Sequence, residues 1–317
     1  MTSLIGNAPV DGVDVAALLG IPISAEQERA VQAPLKPCAV IAGAGTGKTT
    51  VMAARVVWLV ASRLVSPEEI LGLTFTNKAT AELSERIESN LTRVGLLTSE
   101  QPRPTVATYD SFAGTLVNDY GAWDGISTGA HLITGARAYQ LAAEVVMGLD
   151  KAPLAATHMG PTFIAQAVVK LAGAMASHDA SPGKVRRADA RWRQMLLAAP
   201  TKRGGDRYAD IDKWLSRVDE REELLDLVAA YQNLKKERGL VEFGDRMVQA
   251  LHLVTHHPRV GEELRARYRV VLLDEYQDTS SAQADVLAAL FSGPDSAHGM
   301  GHPVMAVGDP LQAIYEW

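Results

Sequence analysis

The sequence has few of the features that mark secreted or membrane-bound proteins. Its 317 residues include a single cysteine, Cys38, so no disulfide can form within the chain, and its apolar surroundings predict a buried structural thiol. The longest helix-like apolar stretch, residues 51–65, is interrupted by Arg55 and Arg63 and predicts no transmembrane helix. Residues 1–20 lack the basic start of a signal peptide. These absences favour a cytoplasmic protein without a membrane span.

The chain also lacks an excess of positive charge. It carries 31 Lys and Arg against 37 Asp and Glu, which gives a formal net charge of −6. Binding along a phosphate backbone needs only a local basic groove, so this balance is weak evidence against a nucleic-acid partner. The length is sufficient for one large domain or two ordinary domains, each with its own core.

Five short apolar runs rich in β-branched residues predict buried parallel strands, because each ends in polar or glycine-rich residues. The runs are residues 38–42, 70–75, 105–108, 270–273 and 304–307. Helical periodicity follows the first two runs, at residues 49–64 and 78–91. This alternation predicts an α/β fold with a doubly wound parallel sheet, and such sheets bind ligands at the carboxyl ends of their strands.

No strand pattern occurs between residues 108 and 270. The interval instead contains helical segments separated by turn-forming residues, with the helical periodicity at residues 136–149, 163–176 and 222–236. A mostly helical domain inserted into the α/β domain explains this order better than a second domain in tandem. We therefore expect residues 1–115 and 241–317 to form the α/β domain and residues 116–240 to form the insertion.

A glycine-rich segment joins the first predicted strand to the helix that follows. Its residues are Ala42, Gly43, Ala44, Gly45, Thr46, Gly47, Lys48 and Thr49, followed by Thr50. This is the pattern of a P-loop, in which small residues let backbone N–H groups wrap phosphates at a helix N-terminus. Lys48 is expected to contact the β- and γ-phosphates of ATP, and the Thr49 hydroxyl is expected to bind Mg²⁺. The strict pattern has glycine at the position of Ala42, and the alternative is a glycine-rich turn without a ligand.

Two carboxylates, Asp274 and Glu275, follow the strand predicted at residues 270–273. In this position one carboxylate can hold Mg²⁺ while the second orients and deprotonates an attacking water. The pair alone is a weak signal, because the end of a strand is often simply solvated. Downstream of a P-loop in an alternating α/β chain, it predicts Asp274 as a magnesium ligand and Glu275 as the general base.

Six segments stand in an order that is typical of one family. Besides the P-loop they include Asp-Glu-Tyr-Gln-Asp-Thr at residues 274–279, which is similar to a DExQDT motif, and residues 73–79, which match a TFTNKA segment. Residues 307–315 are similar to VGDxxQSIY, with Ala313 in place of serine, and residues 23–27 resemble a Q motif. The sixth segment, residues 108–112, resembles a TFHSF segment. Together these segments resemble the superfamily 1A DNA helicases of the UvrD/Rep/PcrA class, whose motor domain is a RecA-like P-loop NTPase. The sequences of these motifs also resemble those of actinobacterial relatives that carry a nuclease domain.

The resemblance implies roles for the matching positions of the nucleotide site. Gln27 would bind the edge of the adenine, although Ser24 and Gln27 also have the spacing of a capping box at a helix start. Gln312 would sense the γ-phosphate and complete a catalytic set with Lys48 and Glu275. ATP and Mg²⁺ are the implied cofactors.

The resemblance also implies a surface for single-stranded DNA. Its expected residues are Phe75, Thr76, Asn77, Thr108, Ser111, Tyr315 and Trp317. Aromatic faces stack on bases without sequence preference, while polar groups hold the backbone. For Phe75 the alternative is core packing at the end of a strand. Asp110 stands where the family has histidine, and we leave it out because a carboxylate repels a phosphate backbone.

Two further segments have an interpretation, one within the predicted insertion and one at the return to the α/β domain. Residues 184–193 form the strongest basic patch of the chain, which is either a contact to duplex DNA, as the resemblance implies, or a solvated helix face. Residues 241–245 resemble an LDFDDL stretch of the family and are expected to be structural.

By this resemblance the sequence stops within the family's third major motif, so the second RecA-like domain and its arginines are expected to be absent. We therefore expect the N-terminal motor half of an ATP-dependent 3′→5′ DNA helicase of DNA repair, monomeric and nearly inactive as a fragment. Its substrates would be single-stranded DNA and single-strand/duplex junctions, and the parent would pair with a second helicase or repair subunit. The alternatives are the motor of a helicase–nuclease recombination subunit and a nucleotide-gated DNA-binding subunit without motor activity.

Overall fold

The computed structural model describes residues 12–127, 129–149, 160–202 and 205–314. Over these residues the chain divides into two compact units. One unit contains residues 12–120 and 250–314, and the other contains the described part of residues 121–249. Each unit has its own cluster of buried apolar side chains.

The described residues form seven strands and twelve α-helices, besides five short 3-10 helices. The strands are β1 (Cys38–Ile41), β2 (Ile70–Thr74), β3 (Thr105–Thr108), β4 (His131–Leu132), β5 (Leu240–Val241), β6 (Val270–Leu273) and β7 (Val304–Gly308). The helices are α1 (Val15–Leu19), α2 (Ala25–Val31), α3 (Lys48–Ala61), α4 (Asn77–Arg93), α5 (Tyr109–Tyr120), α6 (Gly135–Met147), α7 (Pro161–Ser177), α8 (Pro182–Leu197), α9 (Ala209–Glu237), α10 (Phe243–His256), α11 (Pro258–Arg267) and α12 (Ser281–Phe291).

The first unit is built on a five-stranded sheet in the order β1-β7-β6-β2-β3, in which every neighbouring pair is parallel. Strands β2 and β6 are buried at every residue, which explains their continuous apolar sequence. All five predicted strands are present, and the predicted α/β class with a parallel central sheet is confirmed. Because β1 is an edge strand, Cys38 is half-buried and packs against the core, so the predicted burial of its thiol is only partial.

Helices α3 and α4 cover one part of this sheet with apolar faces. In α4 the buried residues are Leu83, Ile87 and Leu91, which recur every four residues and therefore share one face of the helix. They join α3 residues such as Met52 and sheet residues such as Leu272 in one buried cluster. This packing holds the start of α3 at the carboxyl end of the sheet.

A buried arginine fixes α2 to α3. Arg55 is 1% exposed although it lies in an apolar stretch of α3. Its guanidinium donates to the backbone carbonyls of Val31 at 3.0 Å and Ala33 at 2.8 Å, just after the end of α2. These carbonyls have no partner within their own helix, so the arginine satisfies them and positions α2 beside the P-loop helix.

The second unit is mostly helical and lies in sequence between β3 and β6. Its core forms where α6, α7 and α9 pack, through residues such as Leu141, Val168 and Leu225. Helix α9 extends over 29 residues, well beyond the predicted segment 222–236. The two-residue strands β4 and β5 pair in parallel near the two ends of the unit, and they were not predicted because they are too short to show a period.

None of the helices that the structure describes is long and apolar enough to cross a membrane.

Candidate nucleotide and nucleic-acid site

The P-loop connects the carboxyl end of β1 to α3 through a tight turn. Gly45 and Gly47 have φ angles of 73° and 82°, in the left-handed region that residues with a Cβ rarely adopt. At Gly47 a Cβ would also lie 3.2 Å from Gln27 Nε2. The Thr46 hydroxyl donates to the Gly43 carbonyl at 2.8 Å and closes the loop. The segment therefore has the strand–turn–helix context that a P-loop requires.

Helix α3 begins without a side-chain cap. Its N-cap is Gly47, which has no side chain to accept hydrogen bonds from the first N–H groups of the helix. A 14-residue helix with free N–H groups at its start attracts an anion, because the helix dipole adds to the pull of the N–H groups. The first turn also carries Lys48, Thr49 and Thr50. The loop and the helix start together fit a chain of phosphates.

Gln27 makes two contacts through one amide. Its Oε1 accepts from the Ser24 N–H at 2.9 Å, and Ser24 Oγ accepts from the Gln27 N–H at 3.3 Å, so the capping box of α2 is present. Its Nε2 donates to the Thr46 carbonyl of the P-loop at 2.9 Å. The amide therefore supports the loop as well as the helix, and the adenine-binding role stays a prediction.

Side chains from three neighbouring strand ends meet in one hydrogen-bonded chain. Lys48 Nζ lies 3.1 Å from Glu275 Oε2, and Gln277 Nε2 donates to the same oxygen at 2.7 Å. Gln277 Oε1 accepts from the Asp309 N–H at 3.0 Å, and Gln312 Nε2 donates to Asp309 Oδ2. The structure thus brings the predicted catalytic residues Lys48, Glu275 and Gln312 into one network, although they are far apart in sequence.

Gly308 permits this network to form. A Cβ at Gly308 would overlap Gln277 Oε1, so only glycine lets the end of β7 approach that amide. The hydrogen bonds from Gln312 and from the Leu311 N–H lower the pKa of Asp309, which keeps this carboxylate ionised. Sequence reasoning included Gln312 but missed Asp309, the residue that holds it.

Asp274 lies at the end of β6 and is 4% exposed. Burial, with the negative charge of Glu275 in addition, raises the pKa of Asp274 to about 6, and the charge of Lys48 offsets this only in part. A buried carboxylate that is short of positive charge is a group that a divalent cation would stabilise. Glu275, the next residue, has a φ of 46° and a ψ of 44°, which is rare outside glycine and asparagine.

A magnesium nucleotide fits these residues. The free N–H groups of the P-loop and the Lys48 ammonium suit phosphates, and the Thr49 hydroxyl and the Asp274 carboxylate are oxygen ligands of the kind that Mg²⁺ prefers. When bound, Mg²⁺ supplies positive charge that offsets the charge developing on the phosphoryl oxygens.

The residues predicted to contact DNA lie at the ends of β2 and β3. Thr74 and Thr108 are partners in register, so residues 75–77 and 108–111 follow adjacent strand ends. Thr76 Oγ1 accepts from the Ala79 N–H at 3.1 Å and caps α4, and Thr108 Oγ1 accepts from the Ser111 N–H at 3.0 Å. These hydroxyls have local structural partners, and Phe75 is half-buried, so their contact with DNA stays a prediction.

Tyr315 and Trp317, the other two aromatic residues predicted to contact DNA, lie outside the described residues.

Two residues that sequence reasoning missed connect parts of the site. The buried Tyr109 hydroxyl donates to the Asp274 carbonyl at 3.1 Å and links residues 108–111 to the end of β6. Arg86 of α4 donates to the Thr50 hydroxyl at 2.8 Å and links α4 to the first turn of α3. Neither contact has a sequence signal, because each depends on which strands and helices become neighbours.

The sequence profile of the UvrD/REP helicase N-terminal domain matches residues 23–317. The chain belongs to this family. The resemblance to the UvrD/Rep/PcrA class is therefore confirmed, and the chain is a UvrD-type helicase N-terminal domain. Kinship with helicase–nuclease proteins stays a prediction.

Curated relatives of this UvrD-type domain are longer proteins. DNA helicase II of Rickettsia typhi is 26% identical over 298 residues, which is 93% of this chain and 38% of the relative. ATP-dependent DNA helicase UvrD1 of Mycobacterium tuberculosis is 28% identical over 298 residues, 92% of this chain and 33% of the relative. DNA helicase II of Haemophilus influenzae is 29% identical over 306 residues, 96% of this chain and 36% of the relative. The chain spans little more than a third of the length of these relatives.

Asp110, where this UvrD-type domain departs from the family motif, has a partner inside the protein. Gln283 Nε2 of α12 donates to Asp110 Oδ1 at 3.3 Å, and burial raises the pKa of this carboxyl. The carboxylate therefore faces α12, and it is an internal contact of the fold.

Proposed function

We propose that the unit containing the P-loop is the ATP-binding motor domain of an ATP-dependent DNA helicase, and that the helical unit is a domain inserted into it. The sequence predicted boundaries at residues 115/116 and 240/241. We propose the limits of the two compact units instead, at residues 120/121 and 249/250, because the predicted boundaries would divide α5 and β5. The observation that carries the proposal is the hydrogen-bonded chain from Lys48 through Glu275 and Gln277 to Asp309 and Gln312. It joins the ends of three neighbouring strands beside an uncapped helix start.

Under this proposal the residues of the hydrogen-bonded network act in ATP hydrolysis. Lys48 holds the β- and γ-phosphates, which would take the place of its present partner Glu275. Glu275, released from the lysine, accepts a proton from the attacking water. Gln312 senses whether the γ-phosphate is present. Gln277 couples this end of the network to Glu275, because it contacts both Glu275 and the Asp309 N–H.

The activity of the complete protein is part of the proposal. Its relatives are named DNA helicase II and ATP-dependent DNA helicase UvrD1. We propose by analogy that the complete protein moves 3′→5′ on single-stranded DNA in DNA repair in the cytoplasm, and that the 317-residue chain is monomeric. The strand-end segments 75–77 and 108–111 would contribute to the single-strand track, since they adjoin the nucleotide site at the same edge of the sheet.

Nucleotide binding tests the proposal directly. The 317-residue chain is titrated with a fluorescent ATP analogue in the presence of Mg²⁺, and Lys48→Ala is expected to weaken binding at least about 10-fold, because a charge-assisted phosphate contact is lost. Lys36→Ala is the matched control, since Lys36 is an exposed lysine just before β1. Equal affinities of the wild type and Lys48→Ala would contradict the P-loop assignment and therefore the proposed motor function.

A further inference from the structure

Helices α8 and α9 form an antiparallel hairpin whose connected ends expose large aromatic side chains. Trp192 of α8 is 43% exposed and Trp214 of α9 is 53% exposed. Their ring centroids are 6.3 Å apart with an interplanar angle of 31°, so the two indoles form one aromatic surface open to solvent. Tyr208, at the start of α9, is 49% exposed. Exposed aromatic clusters of this kind mark interaction sites.

The same segment is strongly basic in an acidic chain. Residues 184–217 contain ten Lys and Arg against four Asp and no Glu, whereas the whole chain has a net charge of −6. A local excess of positive charge is the electrostatic footprint of a polyanion site.

Some basic residues of α8 and α9 form ion pairs within the protein, whereas others make none with the described residues. Arg186 pairs with Glu222 and Asp226 of α9, both at 2.6 Å, and Arg193 pairs with Asp219. These pairs link the two helices and neutralise the charges of Arg186 and Arg193. Much of the predicted basic patch, residues 184–193, is therefore a structural helix interface.

Three exposed cations are next to the two tryptophans in sequence or one helical turn away. Arg191, Lys213 and Arg217 are exposed, and they make no ion pair among the residues that the structure describes. Arg191 precedes Trp192 and Lys213 precedes Trp214 in sequence, while Arg217 follows Trp214 by one turn of α9. Flat aromatic faces flanked by unpaired cations are the combination that binds single-stranded nucleic acid, in which bases stack while the backbone is neutralised.

An apolar protein partner is the competing occupant, because Met195 and Leu197 of α8 are exposed as well. Such a partner would bury the three free cations without a counter-charge, and removing an unpaired charge from water is costly. A phosphate backbone supplies that counter-charge. The charge complementarity therefore favours the nucleic acid.

We propose that the tip of the α8–α9 hairpin, which comprises Arg191, Trp192, Lys213, Trp214 and Arg217, is a stacking site for single-stranded DNA. The proposal rests on the proposed function only in that the nucleic acid is DNA. It places a DNA contact in the helical unit, separate from the strand-end segments 75–77 and 108–111.

Anisotropy of a labelled oligo(dT) of about 20 nucleotides, a length that exceeds common single-strand site sizes, measures this binding without nucleotide. Trp192→Ala/Trp214→Ala is expected to bind at least about 10-fold more weakly, since stacking contributes on the order of 1–3 kcal/mol per base. Trp192→Phe/Trp214→Phe retains aromatic faces and is expected to recover most of the affinity. Trp123→Ala, an exposed tryptophan outside the hairpin, is the control and is expected to bind like the wild type.

The cations have a separate readout. Arg191→Gln/Lys213→Gln/Arg217→Gln is expected to lower the slope of log affinity against log salt by about two, which corresponds to three lost phosphate contacts on a single strand. Unchanged affinity of the double alanine variant, absence of binding by the wild type, or self-association that only the tryptophans support would each overturn the stacking site. Nucleotide binding that still depends on Lys48 would then show that the hairpin proposal failed while the motor proposal stood.

Discussion

Glu275 combines an unusual backbone with a charged partner. Its left-handed conformation is disfavoured for a residue with a side chain by roughly 1–2 kcal/mol, and such strain persists only where surrounding contacts hold it. Here the contacts are the Lys48 ammonium at 3.1 Å and the Gln277 amide at 2.7 Å. The conformation aims the carboxylate at the P-loop lysine, where a water-activating group would be needed.

Glu275→Gln separates chemistry from binding. In the complete protein, steady-state ATP hydrolysis is expected to fall at least about 100-fold, because the amide cannot accept the proton of the attacking water. Affinity for the nucleotide is expected to stay within a few-fold, since Lys48 loses a competing partner and no phosphate ligand is removed. Phosphate release and binding of a fluorescent ATP analogue measure the two effects, with Glu262→Gln at an exposed site of α11 as control. Unchanged hydrolysis would exclude Glu275 as the general base.

At the scale of an element, α2 is held at both ends by side-chain contacts, one of which also supports the P-loop. The capping box of Ser24 and Gln27 starts the helix, and the guanidinium of Arg55 binds the carbonyls at its end. Because Gln27 also donates to the Thr46 carbonyl, the position of α2 and the shape of the P-loop are coupled through one amide.

Gln27→Glu distinguishes a cap from a nucleotide contact. Glutamate also accepts from the Ser24 N–H, so the capping box and the thermal stability are expected to remain, within about 1 kcal/mol. It cannot donate to the Thr46 carbonyl, and it adds a negative charge beside the phosphate site, so nucleotide affinity is expected to fall about 10-fold or more. Gln27→Ala, which loses both contacts, should lower stability as well. Wild-type nucleotide affinity of Gln27→Glu would leave Gln27 with a capping role alone.

At the scale of the whole molecule, each unit has its own core, and the helical unit contains a buried ionic cluster. Lys235 is 2% exposed, and its Nζ lies 2.7 Å from Glu242 and 2.6 Å from Asp245. The Tyr231 hydroxyl donates to Glu242 at 2.8 Å, and the Lys235 ammonium lies 4.7 Å from the centre of its ring. This cluster joins α9 to the start of α10, where every charged group has a partner.

Lys235→Met is expected to destabilise the helical unit by about 3–5 kcal/mol, because it leaves two partly buried carboxylates without their cation. Since the P-loop unit has a separate core, its nucleotide affinity is expected to stay near that of the wild type. Thermal unfolding by circular dichroism should show an early transition that Lys236→Met, at an exposed neighbour, does not show. Identical unfolding of the two variants would mean that the cluster contributes little.

Prediction from the sequence succeeded where local chemistry is sufficient. The fully buried strands β2 and β6 have apolar runs with sharp ends. The spacing of the glycines and Lys48 between β1 and α3 is specific to a P-loop. It failed for the first half of α9, where the buried residues Leu215 and Val218 stand among charged neighbours and give no clear period. There α9 packs against α8, and Arg221 pairs with the buried Asp189 of α8.

The sequence by itself determined the strands, the P-loop and the carboxylate pair, because these depend on residue type and short spacing. Only the tertiary structure decided that β7 and β6 lie between β1 and β2, which brings Lys48 to Glu275 across 227 positions. It also decided that Arg55 caps α2 in the interior, that Arg186 and Arg193 are paired, and that Arg191 makes no ion pair with the residues that the structure describes. The physical reason is that strand order and ion pairing are set by which surfaces pack together, and no local pattern encodes that choice.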